Sequence, residues 1–284
     1  MRNLFLKIWS ITALGSLLLI GGCGKKFDEA AFSKHLCSQL IVPAHAELVT
    51  CADRLDRAVE KFSRERDEQS LLAAQTEWNR TMAVLQRCKA LNARNNKLFT
   101  DAANDLFALA NRLLDSSKGN AQVLRSKNLT TLPEVSKKLA EKTRLLHTNW
   151  QQQETLIALQ EKPADSAQSL FAMLSDNMEQ LPATQKKPFS PTDRSDLYLY
   201  HHLSGLYLLF NGGIDKNSSY QGFYDYLCAQ GKAEKAAEIS LQFKKTLLAF
   251  EVLRGSALQD RPGREAFYRE YEKLRDVLRI SSIK

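Results

Sequence analysis

Apolar residues spaced three and four apart recur through almost the whole chain after residue 35. One such face, in the segment 38–64, reads Ala44, Leu48, Cys51, Leu55, Ala58 and Phe62. An α-helix turns once every 3.6 residues, so this spacing places the apolar side chains on one side. The 284 residues include only 12 glycines and 7 prolines, which leaves long stretches without a helix breaker. The pattern predicts an all-α protein of antiparallel helical bundles.

The same spacing divides the chain into two groups of helices. The first group covers about 35–160, and the second covers about 164–284, with a proline-containing linker at 182–195. Within the second group, residues 196–210 are apolar nearly all round, which predicts a central buried helix. Asn211-Gly212-Gly213 follows it and is typical of a helix C-terminus. The sequence therefore predicts two bundles, with the linker inside the second group.

The first 22 residues have the anatomy of a secretory signal. Arg2 and Lys7 precede an apolar run from Ile8 to Ile20, and two glycines follow it. The run is shorter than the roughly 20 residues that a membrane-spanning helix needs. We therefore predict a signal peptide over residues 1–22 that is cleaved, with an uncleaved membrane anchor as the alternative.

The cysteine after this segment indicates where the mature chain is held. Ile20-Gly21-Gly22-Cys23 resembles the lipobox of bacterial lipoproteins, in which the cysteine thiol receives a diacylglyceryl group and the new amine is acylated, typically by palmitate. Two or more acyl chains bind stably to a membrane. Residues 23–34 then form a lipidated tether. Gly24, in place of aspartate, is similar to the outer-membrane pattern, so we expect a periplasmic protein anchored to the outer membrane of a Gram-negative bacterium.

Charge and cysteine content narrow the partners further. Loss of Arg2 and Lys7 with the signal lowers the formal net charge from +8 by two, and the remaining charges are interspersed. This predicts a solvated surface and no nucleic-acid partner. Four cysteines remain in an oxidising compartment: Cys37, Cys51, Cys88 and Cys228. One or two disulfides are expected in any of three pairings, with buried thiols as the alternative.

Candidate ligand residues lie in the predicted central helix. They are His201, His202, Tyr198 and Tyr207. Adjacent histidines point about 100° apart on a helix, so they do not easily face one metal. Tyrosines are frequent from residue 198 to 226, and their oxygens suit ferric iron or haem, although aromatic packing also explains them. The sequence has no HExxH, no GxSxG and no glycine-rich phosphate loop. We therefore assign no catalytic residue, no metal ligand and no cofactor, with iron or haem as an open possibility.

Two stretches resemble the imelysin-like family of helical periplasmic proteins. The first contains Val42-Pro43, Phe62 and Trp78, and the second runs through His202-Leu-Ser-Gly-Leu-Tyr-Leu-Leu-Phe-Asn-Gly-Gly213. The resemblance implies two bundles facing each other around a cleft, and a role in envelope iron or haem acquisition. Some members are named metallopeptidases for a Gly-x-His-x-x-Glu motif. That motif is absent here, since no histidine has glutamate three residues later, and Trp150 stands three after His147.

Together these features predict a lipid-anchored, non-enzymatic envelope protein. It would bind a ligand or another envelope or iron-uptake protein. The alternative is a metal-dependent peptidase with a rearranged site, in which His201 and His202 act with Glu154 or Asp196.

Overall fold

A computed structural model describes residues 27–92, 96–114, 124, 127–159, 172, 176–177, 195–213, 222–255 and 261–280. Over these residues the secondary structure is helical and contains no strand, which confirms the all-α prediction. None of the described helices is both long and apolar enough to cross a membrane. The predicted signal peptide, Cys23 and residues 182–194 of the predicted linker lie outside the described residues, and the last linker residue, Ser195, is the first residue of a helix.

Helices occupy both segments for which the sequence predicts one, 38–64 and 196–210, with bounds that differ by a few residues. The α-helices are α1 (Glu29–His35), α2 (Val42–Glu65), α3 (Glu68–Ala90), α4 (Lys97–Leu113), α5 (Leu132–Leu159), α6 (Ser195–Asn211), α7 (Phe223–Ala229), α8 (Ala233–Gly255) and α9 (Arg261–Ile280). Several boundaries reflect local chemistry. The Asp67 side chain accepts from the Ser70 amide at 2.7 Å and so caps α3. Gly212, with φ of +77°, follows α6 in the left-handed conformation that commonly ends a helix.

Helices α1 and α2 form one continuous rod, joined by a π-helical turn over Leu36–Ile41. The rod from Glu29 to Glu65 is about 55 Å long at the usual rise per residue. Pro43 lies in the first turn of α2. Proline has no N–H, and in a regular α-helix its ring would clash with the carbonyl four residues earlier. The wider π-helical turn before Pro43 relieves that clash.

The expected tether over 23–34 is too long. The Phe27 ring already packs on Phe32 and on Tyr226, each at a centroid distance of 5.3 Å. The Asp28 side chain then caps α1 by accepting from the Ala31 amide at 3.0 Å. The sequence does not reveal this packing, because the residues that bury Phe27 and Phe32 lie far along the chain. Any tether after Cys23 is limited to residues 24–26.

Buried side chains fall into two cores. The first core lies among α2, α3, α4 and α5, where Trp78 is buried and donates from Nε1 to the Leu106 carbonyl at 2.7 Å. The second core combines α6 to α9 with α1 and the π-helical turn. The start of the rod therefore packs with the C-terminal helices, and the rest of the rod packs with the N-terminal ones.

The two cores also meet where α3 crosses α6. A Cβ at Gly205 of α6 would lie 2.7 Å from the Arg87 carbonyl oxygen and 2.9 Å from the Ala90 Cβ. Real Cβ atoms do not approach backbone oxygens so closely, so this crossing depends on glycine. The crossing and the rod are two connections that place the cores side by side.

Candidate functional site

A buried polar network lies where the two cores meet, centred on Asn92 just after α3. Its Nδ2 donates to the Cys88 carbonyl at 2.8 Å and lies 2.9 Å from His45 Nε2. Its Oδ1 accepts from Trp150 Nε1 at 3.2 Å. Its backbone carbonyl accepts from Asn177 Nδ2 at 2.7 Å. One asparagine thus links α2, α3, α5 and Asn177.

The network requires His45 in its neutral form. His45 Nδ1 lies 2.8 Å from the Ile41 carbonyl, so that nitrogen carries the proton and donates. Nε2 is then the acceptor for the Asn92 amide. Burial lowers the pKa of His45 to about 4, and the nearby His147 adds to the lowering, although the hydrogen bond that Nδ1 donates to the Ile41 carbonyl partly opposes it. If Nε2 were protonated, its N–H would face the N–H of the Asn92 amide, and two donors cannot form a hydrogen bond with each other.

The outer edge of the network is a strip of α5 formed by His147, Trp150 and Glu154, which we call the α5 strip. These residues are three and four apart, so they share one side of the helix, and all three are partly exposed. The Trp150 ring packs at 5.8 Å from the His45 ring. Burial raises the pKa of the Cys37 thiol to about 12, and the charge of Glu154 contributes, which places Glu154 beside the π-helical turn. The α5 strip is about 10 Å long and offers an imidazole, an indole face and a carboxylate.

The structure places the adjacent histidines of α6 in different surroundings. His202 is buried against α3, with Nδ1 3.4 Å from the Gln86 carbonyl. Burial lowers its pKa to about 4, and the charge of Lys89 acts in the same direction. His201 is partly exposed, and its ring packs at 5.3 Å from Tyr200. The two rings therefore do not converge on one point.

The described tyrosines near these histidines take part in aromatic packing. Tyr198 contacts Trp78 edge-on at 6.3 Å, and Tyr207 lies 5.6 Å from Phe243. Tyr200 stacks on Phe250 at 4.3 Å and donates its hydroxyl to Glu251. Tyr220 lies outside the described residues. Packing of this kind accounts for the tyrosine-rich sequence without a ligand.

The four cysteines of the described chain are buried thiols, and no disulfide joins them. Cys51 and Cys88 belong to the first core, and Cys37 and Cys228 belong to the second. The Cys88 thiol lies 3.4 Å from the Ala44 carbonyl, and burial raises its pKa strongly. Of the two expectations for these residues, the structure has the buried thiols.

Over the described residues, no group of three or more His, Cys, Asp or Glu side chains is placed to hold a metal ion. The polar network was not predicted, because Asn92 lies just after the end of α3 and looks like an ordinary loop residue. One signal was present. His45 replaces an apolar residue on the face that contains Ile41, Leu48 and Ala52, so a buried polar contact was required there.

No known family model matches the chain, and no curated protein matches it significantly. Among solved structures, it is similar to a protein provisionally named an iron-regulated protein A precursor, from Parabacteroides distasonis. The TM-score is 0.59 at 13% sequence identity, and the match covers 90% of this chain and 95% of that one. At that identity the likeness shows a shared all-helical fold.

Proposed function

We propose that this chain is a lipid-anchored envelope protein that binds a ligand or partner in iron physiology and does not act as an enzyme. The observation that carries the proposal is the fold shared, over 90% of this chain and 95% of the other, with a protein named for iron regulation. One fold can host many functions, so the shared fold supports the iron-related part by analogy. The signal peptide and lipobox predicted over residues 1–23 support the location in the envelope.

Lipid anchoring at Cys23 is the first part of the proposal. Phe27 contacts Tyr226 of α7. Residues 24–26 reach at most about 14 Å when extended. The second core would therefore lie directly at the membrane surface. A Cys23→Ser variant should leave the membrane fraction and should no longer incorporate labelled palmitate, whereas Cys228→Ser should behave as the unchanged protein. Unaltered membrane association of Cys23→Ser would contradict the anchor.

Ligand binding is the second part, and the α5 strip is the surface that suits it. His147 supplies an imidazole that is partly exposed, Trp150 supplies an aromatic face fixed by its bond to Asn92, and Glu154 supplies a carboxylate. Imidazole and carboxylate are iron ligands, and a flat haem stacks on an indole face. Iron or haem is therefore the ligand class that we assign to this strip.

Titration of the purified full chain with haemin and, separately, with ferric citrate tests the assignment. We expect a saturable shift of the haem absorbance band. His147→Ala should raise the dissociation constant for haemin at least about tenfold, which is the effect of losing one coordinate bond or strong contact. His201→Ala is the matched control, because His201 is also partly exposed but lies on α6. An absence of any spectral change with both probes would refute iron and haem as ligands.

Regulation supplies an independent test of iron physiology. Abundance of the protein in the native bacterium should rise when iron is withheld and fall when it is restored. Constant abundance in both media would leave only the shared fold and would argue against the iron-linked role.

A further inference from the structure

Helix α8 presents an apolar stripe to solvent on the side opposite its buried face. Leu241, Leu248 and Val252 are 53%, 65% and 64% exposed, and Lys245 lies exposed between them. We call these four residues the α8 stripe. Phe243, Thr246 and Phe250 on the other side are buried in the second core or against α9. The stripe is therefore additional to the face that holds α8 in its bundle.

The spacing of the α8 stripe is that of a coiled-coil seam. From Leu241 the residues step by four, three and four, which repeats the a and d positions of a heptad. Such a seam packs on another helix with the same repeat. Lys245 occupies one a position, where a lysine stem packs against apolar neighbours while its charge reaches water.

Charges beside the stripe select a second copy of α8 as the partner. Lys244 and Glu251 flank the seam on the same side, both exposed and seven residues apart. In an antiparallel pair centred between Lys245 and Leu248, Lys244 faces Glu251 of the second copy, and the two-fold axis repeats this ion pair. In a parallel pair Lys244 would instead face Ala249, and no ion pair would form.

We propose that α8 pairs with α8 of a second copy in an antiparallel two-fold dimer. Leu241 packs on Val252 of the second copy, and the Lys245 stem packs on Leu248. The Tyr200 hydroxyl holds the Glu251 carboxylate in place before association, which reduces the entropy lost on binding. The contact spans about three helical turns, so the dimer is weak in solution and is favoured when copies share a membrane.

Sedimentation equilibrium of the full chain in density-matched detergent tests the dimer. We expect a reversible monomer–dimer equilibrium in the micromolar range, typical of a small interface. Leu248→Lys should raise the dissociation constant at least about a hundredfold, since the two-fold axis places two lysines in the seam. Leu145→Lys, at a leucine 55% exposed on α5, is the matched control and should leave it unchanged. Circular dichroism should show that both variants fold.

A charge-exchange experiment tests the antiparallel register. Lys244→Glu and Glu251→Lys should each weaken self-association, because each variant faces like charges across the two-fold axis. A mixture of the two variants should associate as strongly as the unchanged chain, since each copy then meets opposite charges. Tyr200→Phe should have a much smaller effect than Glu251→Lys. A monomer at about 100 μM, a dimer that tolerates Leu248→Lys, or a mixture no stronger than its components would overturn the proposal.

Discussion

The two cores of this protein differ in composition and in how far apart in sequence their residues lie. The first core is mainly aliphatic and draws on one stretch, from Leu48 to Leu146. The second core contains seven buried aromatic side chains against three in the first, and it draws mainly on the beginning and the end of the described chain. Its large buried rings are those of Phe32, Phe210, Phe223, Phe243, Phe250, Phe267 and Tyr271.

This difference indicates an order of assembly. Helices α2 and α3 are neighbours in sequence and pack on each other, so the first core can close through short loops. In the second core Phe32 packs edge-on against Phe223 at 5.5 Å, although the two are about 190 residues apart. The second core therefore forms only after the segments that contain Phe32 and Phe223 have met. Its edge-to-face ring contacts contribute beyond simple burial.

The largest expected effect comes from removing one anchor of each core. Trp78→Ala and Phe32→Ala should each lower the free energy of unfolding by about 3–5 kcal/mol, because both rings are fully buried. Because the rod joins the cores, we expect urea unfolding to remain one transition in both variants. Circular dichroism and tryptophan fluorescence should give the same midpoint. A Phe32→Ala protein whose fluorescence midpoint stays unchanged would show that the cores unfold separately.

The next effect tests the buried histidines at the junction of the cores. His45 and His202 have a folded pKa of about 4 against 6.5 for the free side chain. The unfolded chain therefore binds more protons between these values, and stability falls as the pH drops from 6.5 towards 4. Each histidine contributes about 3 kcal/mol to this loss, and neither contributes above pH 6.5.

Urea midpoints measured from pH 8 to pH 4.5 would detect this loss above the main titration range of the carboxylates. His202→Gln should remove part of the pH dependence while the part due to His45 remains. Equal stability at pH 5 and pH 7 would contradict the buried, neutral state of both rings.

A smaller effect is expected at the crossing of α3 and α6. Alanine in place of a helical glycine ordinarily stabilises by about 1 kcal/mol. Gly205→Ala should instead destabilise by about 1–3 kcal/mol, because the new Cβ would meet the Arg87 carbonyl at 2.7 Å. Ser204→Ala, on the neighbouring turn position, is the control and should change the melting temperature little. A stabilised Gly205→Ala would mean that the cores are not in close contact there.

The smallest effect concerns an ion pair at the edge of the first core. Lys142 of α5 lies 2.6 Å from Asp105 of α4, and both side chains are partly exposed. Lys142→Met should cost about 0.2–1 kcal/mol, the usual range for a solvent-screened pair. The difference between the two proteins should shrink in 1 M salt, because salt screens the charges. A loss above 2 kcal/mol in the free energy of unfolding would show that this ion pair stabilises the first core more than a partly exposed pair normally does.

Sequence alone determined the local features of this protein. Apolar spacing placed α2 and α6 within a few residues, and the glycines after Asn211 marked the end of α6. These features depend on residues a few positions apart, which is the range over which helical periodicity and capping operate. Residue type and position in the predicted central helix are also what indicated the candidate residues His201, His202, Tyr198 and Tyr207.

Tertiary structure alone decided the contacts between distant segments. It placed α1 in the second core, linked Asn92 to His45 and Trp150, and separated the surroundings of His201 and His202. Helical periodicity indicates which side of a helix is buried but not which helix covers it. Asn92 lies 47 positions from His45 and 58 positions from Trp150, so only the packed chain identifies these partners.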